Sequence, residues 1–349
     1  MGNATAAGAA ALLVAVALAA CGTVEERSAS PLPGQAATII GSGSTAQLSA
    51  IDAWRAGFAR IVPGANIVYQ PVGSGEGVRN FIRGHATFAG SDFVMSSEQR
   101  LQADKRCAGR AFHLPMVVSP IALVYNLDMP DLKLSPGTIT GVFSGKITRW
   151  DDHAIAHDNP GANLPHAGIR VFHRIDDSGT SKNLTRFLRQ VGGWPYKPST
   201  TWLAPGGEGV VGSAQMTDAV KTSDHSIGYV EYGYASAAQL RMAKVKNAAG
   251  EYVELSPESA SASVAGARVV GTGGDLAVKL DSSVKKPGAY PMVMLTYEIV
   301  CSKGSPPLLR GFLGYAAGNA GQSNLSLLGY APLPPELLAQ VRASLDSMT

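Results

Sequence analysis

Thr38-Ile39-Ile40-Gly41-Ser42-Gly43-Ser44-Thr45 decides the architecture, because a short buried strand runs into a glycine- and hydroxyl-rich turn and then a helix. That helix carries Leu48, Ile51, Trp54, Phe58 and Ile61 on one face, the 3.6-residue period of an amphipathic element. The same grammar returns twice. Ile67-Val68-Tyr69 reads as a strand, Gly73-Ser74-Gly75-Glu76-Gly77 as a loop, and residues 78–82 as the start of a short helix. Ile169-Arg170-Val171-Phe172 is the third strand and Arg174-Ile175-Asp176-Asp177-Ser178-Gly179-Thr180 its loop. Leu184, Phe187, Leu188 and Val191 then mark the apolar face of the third helix.

Each loop places Gly, Ser or Thr where a helix begins. Unpaired backbone N–H groups and the positive end of the helix dipole make such a position receptive to anions. Small residues let the backbone come close, and hydroxyls add donors without adding charge. One such turn is an ordinary N-cap. Three of them, one headed by Arg174, point to an oxyanion held by converging helices. Other phosphate and catalytic motifs fail in detail. GxxxxGK[ST] is absent, the 73–77 loop falls one residue short of GxGxxG, and no serine sits in GxSxG.

The bulk properties fit a folded, exported protein. At 349 residues the chain is long enough for two domains, and 45% hydrophobic against 16% charged residues provides a sizeable core. A net charge of +3, with no basic run longer than Lys285-Lys286, argues against nucleic acid as a partner. Residues 6–20 are almost entirely Ala, Leu and Val, and no charged side chain precedes Glu25. The run ends in Leu18-Ala19-Ala20-Cys21-Gly22, which looks like the lipobox of bacterial lipoproteins. Residues 1–20 are therefore expected to be a signal peptide, with Cys21 as the lipidated residue, although the Lys or Arg usual before such a run is missing. An uncleaved signal anchor is the alternative. Residues 21–37, rich in Pro, Ser and charge, read as a lipidated tether. Cys107 and Cys301 are left as an even pair, disulfide-bonded in an oxidising compartment or else two buried free thiols.

Six landmarks stand in order along the chain: Gly41-Ser42-Gly43-Ser44-Thr45, Gly73-Ser74-Gly75, Phe88-Ala89-Gly90-Ser91-Asp92, Gly145-Lys146-Ile147-Thr148-Arg149-Trp150-Asp151-Asp152, Arg174 to Ser181, and Ser226-Ile227-Gly228-Tyr229-Val230-Glu231-Tyr232. In these the sequence resembles the phosphate-binding proteins of the high-affinity phosphate ABC importer, from about Ile40 to the C-terminus. Tyr297-Glu298-Ile299-Val300-Cys301-Ser302-Lys303 looks like the branch with paired cysteines. The resemblance implies an α/β, two-lobed type II periplasmic-binding-protein fold, with mixed sheets flanked by helices and the ligand in the interlobe cleft. Lobe I would comprise 38–115 with 290–349, and lobe II 116–289. The apolar runs 117–126 and 290–300 would be crossover strands; if they lie antiparallel, Cys107 meets Cys301.

Carried over by residue, the resemblance implies a phosphate site. Thr45 and Ser74 would donate hydroxyls and Ala46 its backbone N–H. Arg174, held by Asp176, would pair with the anion. Ser178, Gly179 and Thr180 would close the site, and Ser44 would support it. Asp92 would accept the proton that phosphate keeps near neutral pH. Sulfate has no such proton, so the same carboxylate would repel it. Asp177 stands where the family commonly has Gly, and Glu76 adds another carboxylate; both are expected to point to solvent, where screening weakens their effect.

The expected function is accordingly a monomeric, lipid-anchored receptor on the extracytoplasmic face of the cell membrane. It would deliver inorganic phosphate to the membrane-spanning subunits of the importer, with no catalysis, cofactor or metal. His153 and His157, spaced i, i+4 among Asp151, Asp152 and Asp158, could hold zinc on a helix face, but the flanking residues match a surface helix of the family. Gly206-Gly207-Glu208-Gly209 reads as a turn near the cleft mouth, and Tyr229, Tyr232 and Tyr234 as packing residues. A receptor for sulfate or molybdate, a ligand-free adhesin and a phosphatase-type enzyme are the alternatives.

Overall fold

Two long antiparallel strands carry the architecture seen in the computed structural model, which describes Met1, residues 38–265 and residues 267–349. The apolar segment, Cys21 and the tether lie outside the described residues. Residues from Ala36 to Thr349 pack as one unit. Among the described residues no helix is long and apolar enough to cross a membrane.

The main sheet has nine strands: β1 (Thr38–Gly43), β2 (Asn66–Gln70), β3 (Phe88–Ser91), β4 (Ala111–Asn126), β5 (Arg170–Arg174), β6 (Glu208–Val210), β7 (Ser226–Glu231), β8 (Arg241–Met242) and β9 (Val293–Cys301). Their order is β2-β1-β3-β9-β4-β7-β5-β6, with β8 paired to β4. β1 runs parallel to β2 and β3, and β5 parallel to β6 and β7. β9 is antiparallel to both β3 and β4, so it joins the first parallel group to the centre. The first half of β4 pairs with β9 and its second half, from Ile121, pairs with β7. All but the last residue of β4 is buried, as is all of β9. That explains why both read as unbroken apolar runs rather than as alternating patterns.

β4 starts six residues earlier than its apolar run suggested, because Pro115 interrupts the sequence signal without ending the strand. Pro115 cannot donate to the ladder, and the register with β9 shifts there: Val117 faces Thr296 but Pro115 faces Tyr297. The displaced register falls beside a residue of the candidate site, Thr296.

Helices cover the sheet: α1 (Leu48–Ile61), α2 (Ser74–Ile82), α3 (Ser97–Arg106), α4 (Gly179–Val191), α5 (Gly212–Thr222), α6 (Pro307–Ala317) and α7 (Pro335–Asp346). Ile51, Trp54 and Phe58 of α1 pack with Ile39, Phe88, Phe312 and Val341 in one core cluster. Ile61, expected on the same face, is 62% exposed, because the last turn of α1 runs past the core and residues 59–64 all lie at the surface. The glycine-rich 206–209 segment is only half a turn, since Glu208–Val210 adds β6 to the sheet edge.

A capping box formed by Ser96 and Gln99 starts α3, and Cys107 caps its end. Cys107 is disulfide-bonded to Cys301, the last residue of β9, with Cα atoms 5.1 Å apart and a sequence separation of 194. The bridge closes a long loop, which restricts the unfolded chain most. Replacing both cysteines with serine is expected to lower unfolding free energy by about 2–5 kcal/mol. Denaturant titration of the oxidised protein and the double variant checks this, and equal midpoints would contradict it.

Candidate functional site

The three strand–turn–helix units, led by β1, β2 and β5, bring their turns together around Asp92, which follows β3. β1 continues to Gly43, three residues beyond the expected strand end at Ile40, so Ser44 and Thr45 sit at the sheet's rim. Ser44 caps the short turn Thr45–Gln47 that leads into α1, accepting from the Ala46 N–H at 3.0 Å. α2 begins at Ser74 itself rather than at residue 78, which points its first N–H groups toward the same region. Ser178 caps α4, accepting from the Ser181 N–H at 3.1 Å.

Two ionised groups anchor the constellation. Arg174, the last residue of β5, is 2% exposed. Its Nε donates to Asp176 Oδ1 at 2.6 Å, and Nη2 pairs with the other Asp176 oxygen. Burial pulls the guanidinium toward neutrality, but hydrogen bonding and charge from Asp176 prevail and raise its pKa. Burial likewise pushes Asp176 upward, and the Arg174 contact overrides it, leaving the carboxyl below its ordinary value. The bidentate grip leaves donors on the far edge of the fork: Nη2 reaches Thr45 Oγ1 at 3.2 Å and Nη1 reaches Ser213 Oγ at 3.3 Å.

Asp92, 3% exposed, is the second. Ser44 Oγ lies 2.7 Å from both of its carboxylate oxygens, Thr296 Oγ1 2.8 Å from Oδ1 and Ser74 Oγ 2.9 Å from Oδ2. Burial pushes its pKa up to about 6, aided by the nearby negative charge of Glu231 and opposed by these hydroxyls. Gly179 has no side chain for a concrete reason: a Cβ there would stand 2.4 Å from Ser74 Oγ and 2.5 Å from Asp92 Oδ2. The start of α4 can close on Asp92 only because of that. Asn183 on the next turn donates to the Asp92 carbonyl at 2.6 Å.

The structure thus gathers Ser44, Thr45, Ala46, Ser74, Asp92, Arg174, Asp176, Ser178, Gly179 and Thr180 into one buried, donor-rich cluster. It adds residues that the sequence did not single out. Ser213 opens α5 after Gly212, which has φ +71°, and contacts Thr45 Oγ1 at 2.8 Å; the Gly-Ser pair at a helix start was a usable signal. Glu231 accepts from Thr180 Oγ1, and its second oxygen has no protein partner. Thr296 lies inside an apolar strand, where nothing marked it. Tyr229 supports the cluster from behind, donating or accepting at Ser181 Oγ (2.6 Å) and accepting from the Arg174 N–H (3.0 Å).

Asp177 corrects an expectation. It does not point to solvent: its side chain is 18% exposed and its carboxylate pairs with Arg79 on α2, which also holds Glu76 at 2.6 Å. The close approach of the 73–77 turn to the 174–180 loop carries the side chain inward.

The arrangement is that of a binding site. Neutral hydroxyls, helix N-termini and one guanidinium stand around the Asp92 carboxylate, a donor set suited to a tetrahedral oxyanion that still carries a proton. Comparison with known proteins agrees with this class. A PBP superfamily domain matches residues 28–320. The chain is 35% identical to phosphate-binding protein PstS 3 of Mycobacterium tuberculosis, over 96% of this chain and 95% of that one. It is 30% identical to phosphate-binding protein PstS of Xylella fastidiosa, over 87% and 84% respectively. The chain belongs to the PstS family of phosphate-binding proteins. In structure it is similar to a high-affinity periplasmic phosphate-binding protein solved with phosphate (TM-score 0.72, 23% identity, 88% of this chain and 93% of that one). It is also similar to the phosphate-binding protein of Stenotrophomonas maltophilia (TM-score 0.68, 23% identity, 88% and 93%). At such identities the likeness speaks to the fold.

Behind the site, Glu298 on β9 faces Gly90 across the ladder, fully buried, with no partner for either carboxyl oxygen. Burial, opposed by the neighbouring Gln47 side chain and aided by the charge of Asp92, pushes its pKa well above the carboxylate range. The sign follows from linkage. Between the unfolded value of about 4.3 and the raised folded value, the folded protein binds the extra proton, so this group's contribution to stability declines as pH rises. Glu298→Gln, neutral at every pH, is expected to gain stability relative to the parent as pH increases from 5 to 8. Urea titrations at both pH values check this, and a difference that stays constant with pH would contradict it.

Proposed function

We propose that this chain is an extracytoplasmic receptor that binds inorganic phosphate and delivers it to the membrane-spanning subunits of an ABC importer. Anchoring through a lipidated Cys21, after removal of residues 1–20, would keep it at the outer face of the membrane. In this reading the parts 38–115 with 290–349 and 116–289 are two lobes that close over the anion. The protein acts as a monomeric carrier, so the cycle is capture, closure, docking and release, with no bond made or broken.

One observation carries the reading: a buried carboxylate, Asp92, stands in the same donor-lined cluster as a buried guanidinium, Arg174. The guanidinium with Thr45 and the helix starts at residues 46, 74 and 179 supplies donors for an anion's bare oxygens. Asp92 supplies an acceptor for the one oxygen that bears hydrogen. Its three hydroxyl partners already occupy lone pairs on both oxygens. A protonated ligand oxygen enters as one more donor, whereas an unprotonated one meets like charge. Sites that demand a ligand hydroxyl reject its absence by roughly 10⁴-fold.

Titration calorimetry with phosphate and sulfate tests the proposal. At pH 8 phosphate is expected to bind at least about 10³-fold more tightly than sulfate, and Asp92→Asn to narrow that ratio by about 10²-fold. The pH dependence has a definite sign. Below about pH 6 Asp92 carries its own proton and can donate to sulfate, so selectivity for phosphate is expected to fall as pH drops through that value. Equal affinities for the two anions at pH 8, or no phosphate binding, would contradict the proposal.

A further inference from the structure

Asp177 precedes Ser178 and Gly179 in the third ligand loop, and its surroundings are built to receive it. Its carboxylate pairs with Arg79 Nη1 on α2 and accepts from Thr200 Oγ1. Arg79 Nε is held in turn by Glu76 Oε2 at 2.8 Å. The main chain runs alongside, with the Gly75 N–H donating to the Asp177 carbonyl at 3.0 Å. A Cβ on Gly75 would stand 2.4 Å from Asp177 Cγ, so the 73–75 turn admits this side chain only as glycine. One ion pair and one main-chain bond therefore tie the loop bearing Ser74 to the loop bearing Ser178 and Gly179.

We propose that Arg79 and Asp177 form an ionic clasp that joins the two groups of ligand loops and governs how long a bound anion stays. The statement about residence time rests on the phosphate-receptor reading; the joining of the loops does not. Exposed ion pairs contribute little, because both partners are mobile and screened. Here the Arg79 side chain is 42% exposed and that of Asp177 18%, and the contacts of Thr200 with Asp177 and of Glu76 with Arg79 fix the geometry beforehand. Arg79 has a second effect. It neutralises a carboxylate that would otherwise stand at the edge of an anion site and repel the incoming ligand.

The two effects predict an asymmetry that simple loss of structure would not produce. Arg79→Gln removes the clasp and also unmasks Asp177, so phosphate affinity is expected to fall by about tenfold or more. Adding Asp177→Asn to that variant removes the unmasked charge of the 174–180 loop, leaving only that of Glu76 on α2, and is expected to recover most of the affinity while dissociation stays fast. Asp177→Asn alone is expected to release phosphate several-fold faster than the parent and to lose the parent's acceleration of release by salt. Calorimetry gives the affinities and stopped-flow fluorescence the release rates. A double variant no tighter than Arg79→Gln, or release rates unchanged in every variant, would overturn the clasp while leaving the receptor reading intact. Should the parent bind no phosphate, the receptor reading fails, and amide hydrogen exchange of the ligand-free proteins decides the clasp. Faster exchange at Gly75 in Asp177→Asn supports it, and unchanged exchange overturns it.

Discussion

Arg174 is a guanidinium at 2% exposure, and keeping it charged there constrains everything around it. Taking such a group out of water costs several kcal/mol, and a single buried partner seldom repays that in stability. Asp176 meets the cost in part by gripping one edge of the fork, and it is itself steadied by the Gly212 N–H at 3.0 Å. The other edge is left to hydroxyls, Thr45 and Ser213, which satisfy donors without cancelling charge. A cation balanced on one side and merely solvated by hydroxyls on the other is ready to accept an anion.

The frame holds that arrangement by joining distant segments. β9 links the first parallel strands to β4, and β4 alone spans from that group to β7. Asp92 follows β3, Thr296 comes from β9, and Ser44 and Ser74 from the first two turns, so the carboxylate is held by three pieces of chain besides its own. The disulfide fixes the far end of β9 to the end of α3. Pro115 breaks the ladder register next to Thr296. The same strand pair thus sets both the global connection and the direction of a side chain that touches Asp92.

The turns were legible because their chemistry is local. Glycine, a hydroxyl and a helix start fall within a few residues of one another, and that pattern located the three loops without tertiary information; the family resemblance singled out Thr45, Ser74 and Ser178 within them. Ser213 follows the same rule in a weaker form, since Gly212-Ser213 lacks a clear strand before it. Thr296 and Glu298 could not be read, because a strand buried on both faces shows no alternation to single out a polar residue. Ile61 fitted the helix period but not the extent of the core, which periodicity does not encode. Asp177 was misread for a related reason. Its burial depends on Arg79, 98 residues away, and a solvent-facing reading was the natural one from sequence neighbours alone.

A crystal structure of the protein grown with phosphate, with sulfate excluded, tests the central claim most directly. The account expects one tetrahedral anion within hydrogen-bond distance of Arg174, Thr45 Oγ1 and the Ala46 N–H, with one of its oxygens facing the Asp92 carboxylate. An anion bound elsewhere, or an Arg174 turned away from it and still paired only with Asp176, would contradict it.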